Sequence, residues 1–439
     1  MPKIEPYPGR VPLREVFWFV LPALVIAFGA GWYVLRYAEP APPSRIAIAT
    51  GGEGGGYYTF GKRYQQSLAR SGVTLDVRTT AGSIENLKLL QDAKSGVSAA
   101  LMQGGVASGT DTSELQSVGR IFYEPLWIFY KGAEPLDRLA QLAGKRIAVG
   151  AEGSGTRYLA NVLLTANGVG ADTASLLPVS GQAAVDALLS DNADAVFLTF
   201  AVEAPIVQAM LKNPAVRLMS LSQAEAYARI YPYLARLVLP QGVIDFNKNI
   251  PANDVNLLAP TAALVVRADL HPALVNLLAQ TVLDVHSRPG LFQKAGEFPI
   301  QADPEFAFSE EARRVYRNGP PFLQRYMPFW LANLLQRLII LLVPIATIAY
   351  PIVKLAPVLY NWRIKRRIFY WYDRLRRIEY NLGHELSGDQ VVAQQGELAE
   401  IERAVSRTPV PLRFSDQLYD LRNAINIVRQ HLALQQSAL

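Results

Sequence analysis

Residues 45–70 read RIAIATGGEGGGYYTFGKRYQQSLAR, and no other stretch limits the fold as strongly. Ile46 to Ala49 is a short apolar run, the signature of a buried strand. Five glycines follow in the six positions Gly51 to Gly56, interrupted only by Glu53. Then Tyr57, Phe60, Tyr64 and Leu68 recur at helical spacing, which predicts a helix over Tyr57–Arg70. A strand that turns through glycine into a helix aims the first free helical N–H groups at one point. The helix dipole adds partial positive charge there. Such a turn can hold an anionic group without any charged side chain. An ordinary tight turn uses the same residue types, but rarely so many glycines.

Two nucleotide motifs are excluded. Gly56 to Lys62 has the spacing G-x-x-x-x-G-K, but Arg63 stands where a P-loop needs Ser or Thr. Bulky Tyr57, Tyr58 and Phe60 occupy the positions where phosphates would nestle. The dinucleotide fingerprint fails because its third glycine would fall at Tyr57.

The chain has 439 residues, enough for two or three domains, and half of them are hydrophobic. Cysteine is absent, which removes disulfides and thiol chemistry. The four histidines, His271, His286, His384 and His431, show no metal-ligand spacing, so neither a metal nor another cofactor is expected. The middle of the chain, 38–328, carries 25 basic and 26 acidic residues, which argues against nucleic acid as a partner. The excess lies in 329–439, with 14 basic and 9 acidic residues.

Residues 1–15 are polar and read as a cytoplasmic N-terminus. Val16 to Leu35 is uncharged for 20 residues, long enough to cross a bilayer, and a transmembrane helix is expected over 16–37. Trp18, Trp32, Tyr33 and Tyr37 lie near its ends, as interfacial anchors do. A signal peptide would have a shorter apolar region and small residues at its cleavage site. Pro40, Pro42 and Pro43 make a stiff linker. Strand-like and helix-like stretches then alternate, the pattern of an α/β protein. Val73–Arg78 and Ser98–Gln103 read as strands, and Ser83 as an N-cap. Arg146–Val149, the loop GAEGSGT (Gly150–Thr156) and a helix over Arg157–Asn167 repeat the opening design. Two such loops suggest a cleft closed from both sides. Pro125–Lys131 and Thr261–Arg267 are two similar strand-like stretches, expected to be the crossings between two lobes.

A second transmembrane helix is expected over 329–356, although only Leu338 to Val353 is uncharged, 16 residues. Arg363, Lys365, Arg366, Arg367, Arg374, Arg376 and Arg377 follow, which places this side in the cytoplasm. Residues 361–439 read as a cytoplasmic helical tail, with a hairpin of Glu397–Val405 and Leu418–Leu434. His384-Glu385-Leu386 matches three residues of a phosphoacceptor box, too few to outweigh a solvated helix.

The motifs resemble a known family, the TAXI-type solute receptors of TRAP (tripartite ATP-independent periplasmic) transporters. The resemblance is carried by ATGGEGGGYYTFG (Ala49–Gly61), TAGSIENLKLLQ (Thr80–Gln91), LMQ (Leu101–Gln103), EPLWIFYKG (Glu124–Gly132) and GKRIAVGAEGSGTR (Gly144–Arg157). It spans Arg45 to Tyr316 in the family's order and spacing. It implies a two-lobed, hinge-closing receptor of the type II periplasmic-binding-protein fold, with lobe 1 over 45–125, lobe 2 over 126–262 and a return to lobe 1 over 263–328. It further implies capture of a small organic solute, a carboxylate or an amino acid, for a sodium-driven permease. Glu53 and Gly56 stand where the family's loop carries Thr, and receptors of this kind are mostly soluble rather than tethered. The ligand-binding residues expected are Gly54, Gly55, Gly56, Tyr57, Ser83, Gln103, Ser154, Gly155, Thr156 and Arg157. No nucleophile–base pair stands out, so binding without catalysis is expected. The alternative is a membrane-tethered sensor that signals through its tail.

The expected topology puts both termini in the cytoplasm and the binding domain in the periplasm of a bacterial inner membrane. Reporter fusions after Ser44 and at Leu439 should report opposite sides; the same side for both would remove one span.

Overall fold

A computed structural model of the chain describes residues 41–382, 388–407 and 414–438, with Val25, Phe28, Gly29, Gly31 and Trp32. It divides into two compact units, Pro40–Leu334 and the combination of Met1–Glu39 with Leu335–Leu439.

The first unit is a two-lobed α/β structure. Its first lobe begins with β1 (Arg45–Ala49), α1 (Gly56–Arg70), β2 (Thr74–Arg78), α2 (Ser83–Gln91), β3 (Ala99–Gln103) and β4 (Leu115–Tyr123). The second lobe follows with β5 (Leu126–Tyr130), β6 (Arg146–Ala148), α3 (Gly155–Ala166), β7 (Ser175–Leu177), α4 (Gly181–Leu189), β8 (Ala195–Thr199), α5 (Pro205–Leu211), β9 (Arg217–Leu218), α6 (Ala224–Ile230) and β10 (Leu234–Leu239). The chain returns along β11 (Val255–Arg267) and ends this unit with α7 (Pro272–His286), β12 (Ala307–Phe308) and α8 (Glu310–Asn318). In each lobe the central strands run parallel: β1 between β2 and β3, and β6 between β7 and β8. The central strands β1 and β6 are apolar after their first residue because helices cover both faces of each sheet, leaving two cores per lobe.

The lobes share one strand. The first half of β11 pairs with β10 and, at Leu258, with β5; the second half pairs with β3 and β4. The other crossing is Glu124–Pro125, between β4 and β5. Here the Glu124 N–H donates to the Pro260 carbonyl at 2.9 Å, joining the two crossings. The hinge therefore lies at Glu124–Pro125 and Pro260–Thr261. The crossings thus fall at the first residues of the expected stretches Pro125–Lys131 and Thr261–Arg267 and not along them. Their residues are paired in the sheet of one lobe each, and those ladders hold them rigid.

Close packing of α1 sets the glycine loop. A β-carbon at Gly61 would stand 2.8 Å from Thr50 Cγ2 and 3.0 Å from Val77 Cγ1. The absence of a side chain lets the helix sit directly on β1 and β2. The Asn86 side chain ties the loop's root: its amide donates to the carbonyls of Thr50 (2.6 Å) and Leu101 (2.8 Å), and its oxygen accepts from Thr80 (2.7 Å).

The second unit contains α9 (Phe329–Leu382, from Leu335 onward), α10 (Gly388–Arg407) and α11 (Ser415–Ala438). They pack around Ile364, Ile368, Ile378, Ile401, Leu421 and Ile425, so the expected hairpin is part of a three-helix arrangement. Arg374 adds ion pairs to Glu397 (2.9 Å) and Glu400 (3.2 Å). Among the described residues no helix is long and apolar enough to cross a membrane. The expected span 16–37 lies outside the described residues apart from five scattered positions. The expected span 329–356 falls in α9, where Arg337 and Lys354 bound the 16 uncharged residues, fewer than the ~20 a bilayer requires. His384-Glu385-Leu386 also lies outside the described residues.

Gly61→Val should destabilise the first unit by about 1–3 kcal/mol through overpacking. Chemical denaturation checks this; an unchanged midpoint would mean that α1 can lift from the sheet freely.

Candidate functional site

A cavity of about 540 Å³ lies between the lobes. Its wall from the first lobe is Gly51–Tyr57, Ala81–Ser83, Gln103 and Glu124; the second lobe adds Ser154–Thr156, Ser180–Gln182, Phe197–Phe200 and Ala204–Ile206. Helix starts dominate this wall. In α1 the first intrahelical bond is Thr59 N–H to Gly55 O, and Gly55 has no capping side chain. The N–H groups of Gly56, Tyr57 and Tyr58 are thus without intrahelical partners. In α2 the series begins with Asn86 N–H to Gly82 O, in α3 with Tyr158 to Ser154, and in α4 with Ala184 to Ser180. These four helix N-termini, two from each lobe, open on one cavity, and the start of α5, with Pro205 in its first position, lines it as well. Each favours a nearby negative charge by about 0.3–2 kcal/mol. Among the described lining residues there is no lysine, arginine or histidine.

The structure brings nine of the ten expected residues to this cavity: Gly54, Gly55, Gly56, Tyr57, Ser83, Gln103, Ser154, Gly155 and Thr156. Arg157 is elsewhere. Its backbone N–H is capped by Ser154 Oγ at 3.2 Å, and its side chain turns to Gly150 O (3.5 Å) and Glu152 (3.9 Å) in a separate surface cleft. The third position of a helix points its side chain off the axis, whereas its first N–H groups point along it.

Several roles differ from expectation. Ser83 is not the N-cap of α2; Gly82 is, and Ser83 Oγ accepts from Gln103 N–H at 2.9 Å. Gln103 spans the cleft, its amide donating to Gly155 O at 3.0 Å. The Thr156 and Thr199 hydroxyls hydrogen-bond to each other. Gly55 has extended backbone, φ −88° and ψ 160°, which any residue adopts. No glycine of Gly51–Gly56 has positive φ, and β-carbons at Gly54 or Gly56 would meet nothing within 4 Å. Gly54 and Gly56 are therefore not conformational necessities, whereas a β-carbon on Gly55 would stand 3.1 Å from Gly52 O; the bareness of the loop leaves the helix start open to the cavity. Closure depends on other glycines. Gly82, at φ 131°, lies so close to the second lobe that its β-carbon would be 3.2 Å from Ser154 Cα. A β-carbon on Gly155 would be 2.5 Å from Gln103 Oε1.

Glu124 escaped the sequence reading. It is 9% exposed, lines the cavity at the hinge, and accepts from the Tyr57 hydroxyl at 2.8 Å. Burial raises its carboxyl to about 8, against the lowering effects of the Tyr57 hydrogen bond and the Arg120 charge. Burial first, and Glu124 second, raise the Tyr57 phenol well above its usual value. The signal available was a carboxylate inside the apolar stretch IFYEPLWIFY, at a strand-to-strand crossing. Ser180–Gln182 and Thr199 were missed too, although each follows or ends a strand, where open sheets bind ligands. Glu53, by contrast, is exposed. Among the described residues no group of acidic or histidine side chains is arranged to hold a metal ion.

A model of the NMT1-like family matches residues 48–297, more than half of the chain. No curated protein matches it. Among solved structures, the alkanesulfonate-binding protein SsuA from Xanthomonas axonopodis pv. citri, bound to MOPS, is 16% identical, with 56% of this chain and 74% of that one covered and a TM-score of 0.35. The periplasmic aliphatic sulphonate binding protein SsuA from Escherichia coli is 14% identical, with 73% and 88% covered and a TM-score of 0.35. Tv2483 bound to L-arginine is 14% identical, with 58% and 88% covered and a TM-score of 0.34.

Glu124 makes a pH-dependent contribution with a definite sign. Its carboxyl titrates near 8 when folded and at 4.5 ordinarily. Between these values the folded chain holds more protons than the unfolded chain, so stability from this group falls as pH rises through that window. Glu124→Gln should flatten the slope, gaining on the wild type from pH 5 to pH 8 in denaturation midpoints. A parallel pair of profiles would show that Glu124 titrates normally.

Proposed function

The chain belongs to the NMT1-like family, and we propose that it is a solute receptor that binds without catalysis. It captures a small organic solute, a carboxylate or an amino acid, and delivers it to a TRAP-type membrane permease. The observation that carries this reading is the convergence of four helix N-termini on one interlobe cavity without a cationic side chain. Such a wall suits an anionic head group held by neutral N–H and hydroxyl donors. Phe197, Leu198, Phe200 and Ile206 give the remainder of the solute an apolar surface. Delivery to a TRAP permease, and the TAXI type of receptor, rest on the order and spacing of the motifs from Ala49 to Arg157.

In this reading the receptor is anchored in the inner membrane of a bacterium, with the cavity in the periplasm. Its support is the uncharged run Val16–Leu35. A tethered sensor is the second reading, favoured by the separate helical unit with its own core. A permease encoded beside this chain supports delivery; a regulator in that place, with no permease, supports sensing.

A thermal-shift screen of the full chain against organic acids and amino acids tests the receptor reading. A solute at a hundred times its Kd adds about 2.7 kcal/mol, which should raise Tm by roughly 5 °C or more. The solute should be recovered unchanged. A flat response across the panel, or turnover of a bound compound, would refute it.

A further inference from the structure

The cavity carries charged side chains of one sign only. Among the described lining residues these are Glu53, exposed, and Glu124, buried at the hinge. A helix-start cradle alone would suit a simple anion, and an acidic residue deep in the same cavity works against one. Glu124 Oε2 accepts from Tyr57 of α1, and among the described residues no hydrogen bond reaches Oε1. The charged group nearest in influence is Arg120 of β4, which is committed elsewhere. Its guanidinium is paired with Asp303 (2.5 Å) and Glu305 (2.8 Å), and donates to Thr261 O (3.0 Å). Among the described lining residues the Glu124 carboxyl thus has no cation paired with it, and the committed Arg120 charge only partly offsets its burial. A buried carboxylate without a counter-charge is costly.

We propose that Glu124 is a specificity-determining residue that receives the cationic nitrogen of a zwitterionic solute, whose carboxylate lies at the helix starts. This rests on the receptor reading above. Both ends of an α-amino acid are then matched: acid to N–H donors, ammonium to carboxylate. Before the solute arrives, burial keeps Glu124 largely protonated below its value of about 8. The ammonium makes the ionised form favourable, so binding at neutral pH releases a proton.

Calorimetry of the full chain with two matched pairs tests this: L-glutamate against glutarate, and L-leucine against 4-methylpentanoate. At least one amino acid should bind about tenfold or more tightly than its des-amino partner, the scale of one lost charged hydrogen bond. Buffers of different ionisation heat should reveal proton release at pH 7. Glu124→Gln keeps an acceptor for Tyr57 but should lose both the preference and the proton release. Glu124→Asp, which keeps the charge, should retain the preference. Equal binding of acid and amino acid by the wild type overturns the proposal and leaves the receptor reading intact. So does a preference that survives in folded Glu124→Gln. Silence of all four probes overturns the proposal together with the class of solute assigned to the receptor.

Discussion

The first N–H groups of a helix have no partner inside the helix, and a protein must solvate them, cap them or give them a ligand. In this chain α1 and α2 of one lobe, and α3 and α4 of the other, turn those groups toward a shared cavity. The surrounding sequence serves that arrangement. Parallel strands β1 and β6 end at the cavity, so the helices after them must begin there. Bare glycines before α1 leave its start uncovered, and Gly61 lets the helix lie close enough to the sheet to hold the loop in place. Asn86 fixes the same loop from below with three hydrogen bonds.

Two half-sites become one through the hinge. β11 belongs to both sheets, and the Glu124–Pro260 hydrogen bond fastens the second crossing to it. The Arg120 ion pairs to Asp303 and Glu305 secure the returning chain, and Glu305 in turn accepts from the N–H groups of Gly105 (2.7 Å) and Ala107 (3.0 Å) beyond β3. Across the cleft, Gln103 reaches Gly155 and Gly82 lies against Ser154. Beside these polar and backbone contacts, Tyr158 of the second lobe packs against an apolar cluster of the first. A solute that gains contacts from both lobes favours the closed form by its differential affinity for it.

Much of this was legible in local patterns. The apolar runs before the two glycine loops, and the helical spacing after them, located β1, α1, β6 and α3 within a residue or two. Those signals are local, and backbone-mediated sites are written in local sequence. The misreadings have the opposite character. Arg157 looked like a carboxylate partner by type, but its direction depends on where α3 begins. Ser83 looked like a cap, while its hydroxyl is used by a strand 20 residues away. Glu124 acquires its character from burial, from Tyr57 and from the meeting of two distant crossings, none of which its neighbours in sequence encode. Gly54 and Gly56 supply absence of side chains rather than unusual backbone. For the flanking apolar stretches, hydropathy suggested two spans, and among the described residues no helix of spanning length and apolarity is found.

The central claim is that neutral backbone donors at the helix starts hold the solute's anionic group. Glycine occupies the first position of three of these helices, Gly56, Gly155 and Gly181. Amide NMR of the full chain labelled with ¹⁵N-glycine therefore watches the donors themselves. Titration with the organic acid that stabilises the chain most should shift these three amide resonances together, saturating at one affinity. Movement of other glycines, with Gly56, Gly155 and Gly181 unmoved at saturation, would place the solute elsewhere and contradict the account.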